Sequence, residues 1–176
     1  MKTTKYLILA SSILLGGCGF TMQNGTSLPK QLQTLTVQAD NPYSGLAIDL
    51  RQNLLDSGIT LTPNAPVILK ITDQSFTHDN PNMVSSAQAT IYTFTYQANF
   101  VLYDKNYTPI IAPQTVSTNH TITLNPNEIL DSNNKTLTLR KEMRREIIFK
   151  IFDILSARNC REALSTKFSK TPKTRT

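Results

Sequence analysis

The chain has 176 residues, 39% of them hydrophobic, so it can form one domain with a buried core and is too short for two domains of ordinary size. No apolar run approaches the roughly 20 residues that a membrane-spanning helix needs, which argues against a transmembrane protein. The net charge of +6 belongs to the last quarter of the chain, because residues 18–134 carry four basic side chains against eight carboxylates, whereas residues 135–176 carry twelve against four.

The N-terminus has the three parts of a secretory signal. Two lysines form a positive start, Tyr6–Leu15 is a short apolar run, and Leu15–Cys18 resembles a lipobox, the motif at which a peptidase cuts after lipid has been attached to the cysteine thiol. We predict a signal peptide over residues 1–17 and a mature chain held to a membrane by lipid on Cys18. The alternative is an ordinary secretory signal followed by an incidental cysteine.

Export and lipidation constrain the remaining residues. Because the chain has two cysteines, lipid on Cys18 leaves Cys160 without a partner in the chain, and we expect a small packed hydrophobe there, with an intermolecular bond as the alternative. Gly19, rather than an aspartate, follows Cys18, which resembles lipoproteins of the outer membrane. The exported location argues against a nucleic-acid partner despite the basic charge, and the localised positive charge suggests an anionic partner such as a phosphorylated glycolipid.

The first elements of the mature chain are a strand, a helix and a second strand. Alternating apolar residues predict a strand over Gln33–Ala39. Leucines four residues apart predict an amphipathic helix over Ser44–Ser57, with its first serine as the N-cap and Gly58 as the C-terminal stop. A second strand is predicted over Val67–Ile71, with an extension to Phe76.

The clearest strand pattern runs from Thr90 to Tyr103. Aromatic and aliphatic residues alternate there with threonine, glutamine and asparagine, which matches a sheet covered on one face only. Turn residues follow, so a strand from about Pro113 to Leu124 should pair with it as an antiparallel hairpin. The last pattern predicts a long helix, in which apolar residues recur every four positions at Leu139, Met143, Ile147, Ile151 and Leu155.

This order of elements, strand, helix, three strands and helix, predicts the fold class. We predict an α/β (α+β) two-layer sandwich with a four-stranded, mostly antiparallel or mixed sheet and both helices on one of its faces. The single domain is predicted over residues 33–160, after a lipidated N-terminus and tether over residues 18–32. Residues 161–176 hold few apolar side chains and several lysines, which predicts a basic, disordered tail.

The sequence contains no motif of a catalytic, metal or cofactor site. His78 and His120 lie in different segments, with no CxxC or HExxH motif and no glycine-rich phosphate loop. Ser75, His78 and Asp79 have the residue types of a nucleophilic triad, but the glycines of a nucleophile elbow are missing, and a polar loop or strand end is the simpler interpretation. We therefore predict neither an enzyme nor a metal or cofactor site.

Four basic residues near the start of the last helix form the one candidate binding motif, the basic cluster. On a helix Arg140 and Arg144 are neighbours one turn apart, as are Lys141 and Arg145. A phosphate-binding site and an ordinary solvated helix face are both compatible with this pattern.

Several short motifs also follow one another in a specific order. They are the lipobox, Leu28-Pro29, the strand segment Leu35-Thr36-Val37, the helix segment Leu50–Leu54, Ser57-Gly58-Ile59, the tyrosine-rich strand and Lys141-Glu142-Met143. Each motif alone is weak, but their order and spacing resemble LptE, the lipopolysaccharide-assembly lipoprotein family, over nearly the whole mature chain.

The resemblance implies a plug. LptE-family proteins sit inside LptD, a large outer-membrane β-barrel, support its assembly, and help lipopolysaccharide to reach the outer leaflet while binding it themselves. For this chain the resemblance implies an outer-membrane domain in the barrel lumen, facing the periplasm, with an LptD-type barrel and lipopolysaccharide as partners. A sheet with one polar face is compatible with a polar lumen.

The sequence departs from the family at the residues associated with lipopolysaccharide. In the family, basic residues lie near the start of the third strand and in the loop before the last helix, but the matching stretches here, Met83–Gln88 and Glu128–Asn134, contain no Lys or Arg. Lys135 is the nearest candidate, and the basic cluster lies behind it. The alternative function is a free-standing envelope lipoprotein with a lipid-binding or minor hydrolytic role, in a groove beside His78 and His120.

Overall fold

The computed structural model describes residues 28–79, 90–124 and 129–169. The predicted signal peptide, Cys18 and Met83–Gln88 lie outside these ranges. Within them, no helix is both long enough and apolar enough to cross a membrane.

A five-stranded mixed sheet forms one layer of the domain. Its strands are β1 (Thr34–Ala39), β2 (Thr60–Leu61), β3 (Val67–Asp79), β4 (Thr90–Asp104) and β5 (Gln114–Leu124), in the order β2-β1-β3-β4-β5. β1 is parallel to β2 and β3, whereas β3 with β4 and β4 with β5 are antiparallel. The predicted α+β class, the mixed sheet and the β4–β5 hairpin are confirmed, but the number of strands is five rather than four.

Helices form the second layer. In the part of the chain that the structure describes, one 3-10 turn, Lys30–Leu32, precedes the sheet, and three α-helices follow: α1 (Gly45–Asp56), α2 (Ile129–Ser156) and α3 (Arg158–Ser169).

The ends of α1 are those expected from the sequence. The Ser44 side chain accepts a hydrogen bond from the Ala47 amide at 3.3 Å, which caps the first turn. After the last turn Gly58 has φ +79°, and the Ile59 amide donates to the Leu54 carbonyl at 3.0 Å. A left-handed residue at this position favours glycine because it has no Cβ.

The extra strand β2 arises as the chain leaves α1. The Thr60 amide donates to the Gln33 carbonyl at 2.8 Å, and the Thr62 amide donates to the Leu35 carbonyl at 3.0 Å. A strand of two residues has no alternation to detect in a sequence, so only the position of β1 beside it makes this segment a strand.

One hydrophobic core lies between the two layers. α1 buries leucines at positions 46, 50 and 54, and α2 buries its predicted stripe from Leu139 to Leu155. The sheet contributes alternate side chains of β1, β3 and β4, including Leu69 paired with Leu102 and Ile71 paired with Phe100. Both predicted helices therefore cover the same face of the sheet.

The predicted disordered tail is wrong as far as Ser169. Residues 158–169 form α3, in which Cys160 and Leu164 are buried and Phe168 packs against the core. These residues are four positions apart, so a helix places them on one side. The Lys167 ammonium also lies 3.0 Å from a carboxylate oxygen of Asp104. The rest of the predicted tail, residues 170–176, lies outside the described residues.

The domain also begins earlier than predicted. Leu32 is completely buried and Leu28 packs against the core, so the last residues of the predicted tether belong to the folded part. At the other boundary, α2 already begins at Ile129, within the stretch that the resemblance assigns to a loop before the last helix.

Candidate functional site

An aromatic strip continues the inner face of the sheet beyond the main core. It consists of Phe76, His78, Tyr92, Phe94 and Tyr96, on β3 and β4. Phe76 is paired with Tyr96 and His78 with Phe94 in the strand register. Ring centroids lie 5.4 Å apart for Phe76 and Phe94, and 5.5 Å apart for His78 and Phe94, which are ordinary distances between packed aromatic rings.

One residue of the basic cluster, Arg140, contacts this strip directly. Its guanidinium carbon is 4.3 Å from the centre of the Phe76 ring, within the range of a cation–π interaction. At an exposed position such a contact is worth about 0.5–1 kcal/mol. The contact fixes the stem of Arg140 and leaves guanidinium N–H groups at the surface.

Arg144 has a structural role. Its Nε donates to the Asp49 carboxylate at 2.8 Å, with the arginine side chain 15% exposed, so the pair joins α2 to α1. Gly45 makes room for it, because a Cβ at that position would lie 2.9 Å from the guanidinium. Burial raises the pKa of the nearby Tyr96 phenol above its ordinary value, and the charges of Arg144 and Arg140 act in the opposite direction.

The remaining candidates are on the surface. Lys141 and Arg145 are exposed and, among the residues described, form no ion pair. Lys135 is exposed and has an interaction of its own. The fold thus divides the basic cluster: Arg144 is fixed between helices, Arg140 lies on an aromatic ring, and Lys141 and Arg145 are available to a ligand.

A polar contact that the sequence did not suggest joins α2 to β5. Glu146 accepts a hydrogen bond from the Thr118 hydroxyl, and its other oxygen lies 2.7 Å from Nε2 of His120. The Thr118 hydroxyl is the main cause of the lowered pKa of Glu146, which burial opposes and His120 reinforces. The sequence pattern that could have indicated this contact is the alternation of β5, which places Thr118 and His120 between Val116 and Ile122 on the face that packs against α2.

The possible nucleophilic site is not assembled. Ser75 and His78 are three residues apart on β3, so their side chains leave opposite faces of the sheet. His78 packs against Tyr92 and Phe94, whereas His120 is held by Glu146. The Thr118 hydroxyl donates to that carboxylate, so it is not activated by the histidine. Within the described ranges no group of three or more His, Cys, Asp or Glu residues could hold a metal ion.

The opposite face of the sheet is polar and uncharged from Thr93 to Asn99 on β4 and along β5, and we call this part the polar sheet face. Ile91, near the start of β4, lies on the same side and is 48% exposed. Thr93 and Thr121 hydroxyls lie 3.1 Å apart, and Thr115 donates to the Asn99 side chain at 2.8 Å. The outward positions of this surface are Thr93, Thr95, Gln97 and Asn99 on β4, and Thr115, Ser117, Asn119, Thr121 and Thr123 on β5.

Comparison with known proteins identifies relatives of the chain. A family model described as "LptE: Lipopolysaccharide-assembly" matches residues 32–155. The LPS-assembly lipoprotein LptE of Pectobacterium atrosepticum is 26% identical over 176 residues, covering 94% of each chain.

Two solved structures have a similar fold. A minor lipoprotein of Acinetobacter baumannii aligns with a TM-score of 0.61 at 15% identity, covering 71% of this chain and 91% of the other. The rare lipoprotein B of Shewanella oneidensis aligns with a TM-score of 0.56, also at 15% identity, covering 77% and 97%.

Proposed function

This chain belongs to the LptE family of lipopolysaccharide-assembly lipoproteins, and from that premise we propose that it plugs and assembles an LptD-type outer-membrane barrel. The family consists of envelope lipoproteins that are not enzymes. In the proposal, lipid on Cys18 anchors the protein to the outer membrane. The domain lies in the barrel lumen, faces the periplasm, and assists the insertion of lipopolysaccharide into the outer leaflet.

The polar sheet face is the observation that carries the plug role. Large outer-membrane barrels have polar interiors, so a plug needs a surface that can exchange hydrogen bonds with water for hydrogen bonds with the barrel wall. Hydroxyl and amide side chains both donate and accept, and none of the outward positions from Thr93 to Asn99 or from Thr115 to Thr123 carries a charge that would need a matching partner.

Co-purification tests the plug role. The lipidated protein, extracted from outer membranes in mild detergent, should be recovered with a barrel of much larger mass, and its depletion should lower the amount of lipopolysaccharide at the cell surface. Recovery of the protein without any barrel would count decisively against the proposal, because a plug is held on most of its sides.

We also propose that the basic cluster binds lipopolysaccharide phosphates directly. Lys141 and Arg145 are exposed one helical turn apart, and Arg140 offers its outer N–H groups beside the aromatic strip. Lys135 lies nearer to the N-terminal end of the same helix. Arginine and lysine form charge-assisted hydrogen bonds to phosphate. Arg144 holds Asp49 instead, so its removal should lower stability before it lowers affinity.

Paired variants test this site. The double variant Lys141→Ala/Arg145→Ala should bind purified lipopolysaccharide at least tenfold more weakly, since each of the two charge-assisted hydrogen bonds that it removes is worth about 1.5 kcal/mol. Arg158→Ala is the matched control, because Arg158 is exposed and pairs with Glu162 on α3. Equal affinity of the double variant and the control would assign the basic cluster to an ordinary solvated helix face.

A further inference from the structure

A groove of about 1080 Å³ lies between the C-terminal end of α1 and the outward side of α2, away from the aromatic strip. Its apolar wall contains the buried residues Ile59 and Ile148 and the partly buried Phe152. Phe149 stands at its edge with 68% of its surface exposed. Phenylalanine is costly to leave in water, and no segment of the described residues covers Phe149 on this side of α2.

The wall of the groove includes the point at which the N-terminal segment enters the domain. Leu28 lines the groove and packs against the core. The 3-10 turn that follows is fixed by the buried Leu32, whose amide donates to the Pro29 carbonyl at 2.8 Å. The chain before Leu28 therefore starts from the groove itself.

We propose that this groove is the binding site of the chain's own segment Gly19–Ser27, with the side chains of Phe20 and Met22 packed against Phe149 and Phe152. Phe20 is eight residues from Leu28 and can reach up to about 28 Å from it. The α2 part of the groove, from Arg145 to Phe152, is only about 10 Å long, so both apolar side chains of the segment can reach all of it.

Charge favours this segment over an anionic lipid. The groove is lined by two basic residues, Arg145 and Lys150, and by two carboxylates, Asp56 and Glu146, so its formal charge is balanced. The segment Gly19–Ser27 carries no charged side chain. The Glu146 carboxylate is bound to Thr118 and His120 on β5, so an anionic headgroup would leave Asp56 facing a negative charge, whereas polar backbone and amide groups can bond to both signs.

Docking of the segment would set how the domain faces the membrane. With Phe20 in the groove, only Gly19 lies between it and Cys18, so the anchor would leave from the edge of α2 beside Phe149. This consequence rests on the proposed lipidation of Cys18. The docking itself does not, because its contacts are made by residues 19–27 and not by the lipid on Cys18.

A single tryptophan can report on the groove, because the chain contains none. The mature chain with Cys18→Ser avoids lipid, and Phe149→Trp places the probe at the edge of the groove. Tyr43→Trp, at a position 86% exposed, is the reference for an uncovered site. We expect iodide to quench Phe149→Trp several-fold less than Tyr43→Trp, and its emission maximum to lie at a shorter wavelength.

Changes in the segment decide whether it is the occupant. Adding Phe20→Ser/Met22→Ser should raise the quenching of Phe149→Trp to the reference level, whereas Gln23→Ser/Asn24→Ser should leave it protected. If iodide quenches Phe149→Trp as strongly as Tyr43→Trp while the segment Gly19–Ser27 is unaltered, the proposal is overturned.

Lipid as the occupant has its own outcome. Phe149→Trp could be protected from iodide only when vesicles of phosphatidylethanolamine and phosphatidylglycerol are added, and equally with and without Phe20 and Met22. That result would also overturn the proposal. All these measurements use protein that carries no lipid anchor, and no barrel is present. A negative result for the docked segment is therefore distinguishable from a negative result for the plug role.

Discussion

Glu146 connects α2 to the edge of the sheet through hydrogen bonds with Thr118 and His120. Its lowered pKa, caused chiefly by the Thr118 hydroxyl, means that the folded protein prefers the charged form more than the unfolded chain does. A carboxyl of this kind stabilises the fold above its unfolded pKa, and that stabilisation is lost as the pH falls through the lower folded value.

The substitution Glu146→Gln should therefore destabilise the protein in a pH-dependent way. At neutral pH we expect a loss of about 1 kcal/mol in the free energy of unfolding, since a net hydrogen bond is worth about that much. The loss should shrink as the pH falls from the ordinary value of 4.5 through the lower folded pKa, because the unfolded wild-type chain takes up the proton before the folded protein does. Urea unfolding across acidic pH measures this, and Glu142→Gln, on the exposed side of α2, is the control. A constant difference at every pH would mean that the charge of Glu146 has no role.

Cys160 provides a second prediction about a single residue. It is 2% exposed, and burial raises the pKa of its thiol to about 11, which supports the expected packed hydrophobe. Because the thiolate is the reactive form, a maleimide or a disulfide reagent should modify Cys160 only after unfolding, in a chain with Cys18→Ser. Rapid labelling of the native protein at neutral pH would show that α3 leaves the core frequently.

At the scale of elements, α3 should be part of the cooperative fold. Leu164 is completely buried, so Leu164→Ala should lower the free energy of unfolding by about 2–5 kcal/mol. Thr166→Ala, at an exposed position of the same helix, should change it by less than about 0.5 kcal/mol. Chemical denaturation of both variants gives the comparison. A loss near zero for Leu164→Ala would indicate that α3 is detached from the domain in solution.

The elements that could be predicted from the sequence are those in which a hydrophobic repeat continues over many residues. α1 shows four-residue leucine spacing between a serine cap and a glycine stop, and β4 shows strict alternation over more than ten residues. α3 also has a period, Cys160, Leu164 and Phe168, but its many charged residues favoured a disordered tail. β2 has no period at all, because its two residues become a strand only through hydrogen bonds to the segment from Gln33 to Leu35.

The candidate site was predictable in composition and not in arrangement. Helical spacing places Arg140 and Arg144 on neighbouring turns of one face. It does not indicate that Arg140 lies over Phe76, or that Arg144 binds Asp49. Phe76 and Asp49 are distant in sequence, and their positions depend on the register of β3 with β4 and on the packing of α1. For the same reason the alternation of β5 indicates only that Thr118 faces α2, and not that its partner there is Glu146.

At the scale of the whole molecule, the two faces of the sheet have different tasks. The inner face is closed by α1 and α2 at the main core, and its aromatic strip, where His78 is exposed, is the part that a partner can reach without unfolding the core. The polar sheet face has no helix of the described residues packed on it, and its hydroxyl and amide groups are partly paired among themselves, as in the contacts of Thr93 with Thr121 and Thr115 with Asn99. A surface satisfied in this way can lie against a polar wall without leaving a buried charge.

A lysine on the polar sheet face should therefore weaken assembly with the barrel without weakening the fold. In Asn119→Lys the new charge would be desolvated against the barrel wall, and a cost of about 1.4 kcal/mol is enough for a tenfold loss of affinity. Asn119 is exposed in the free domain, so urea unfolding should change by less than about 0.5 kcal/mol. Asn159→Lys, which adds the same charge to the exposed side of α3, is the matched control. The yield of barrel recovered with each lipidated variant from detergent extracts is the measurement, and equal yields would place the barrel contact on another surface of the domain.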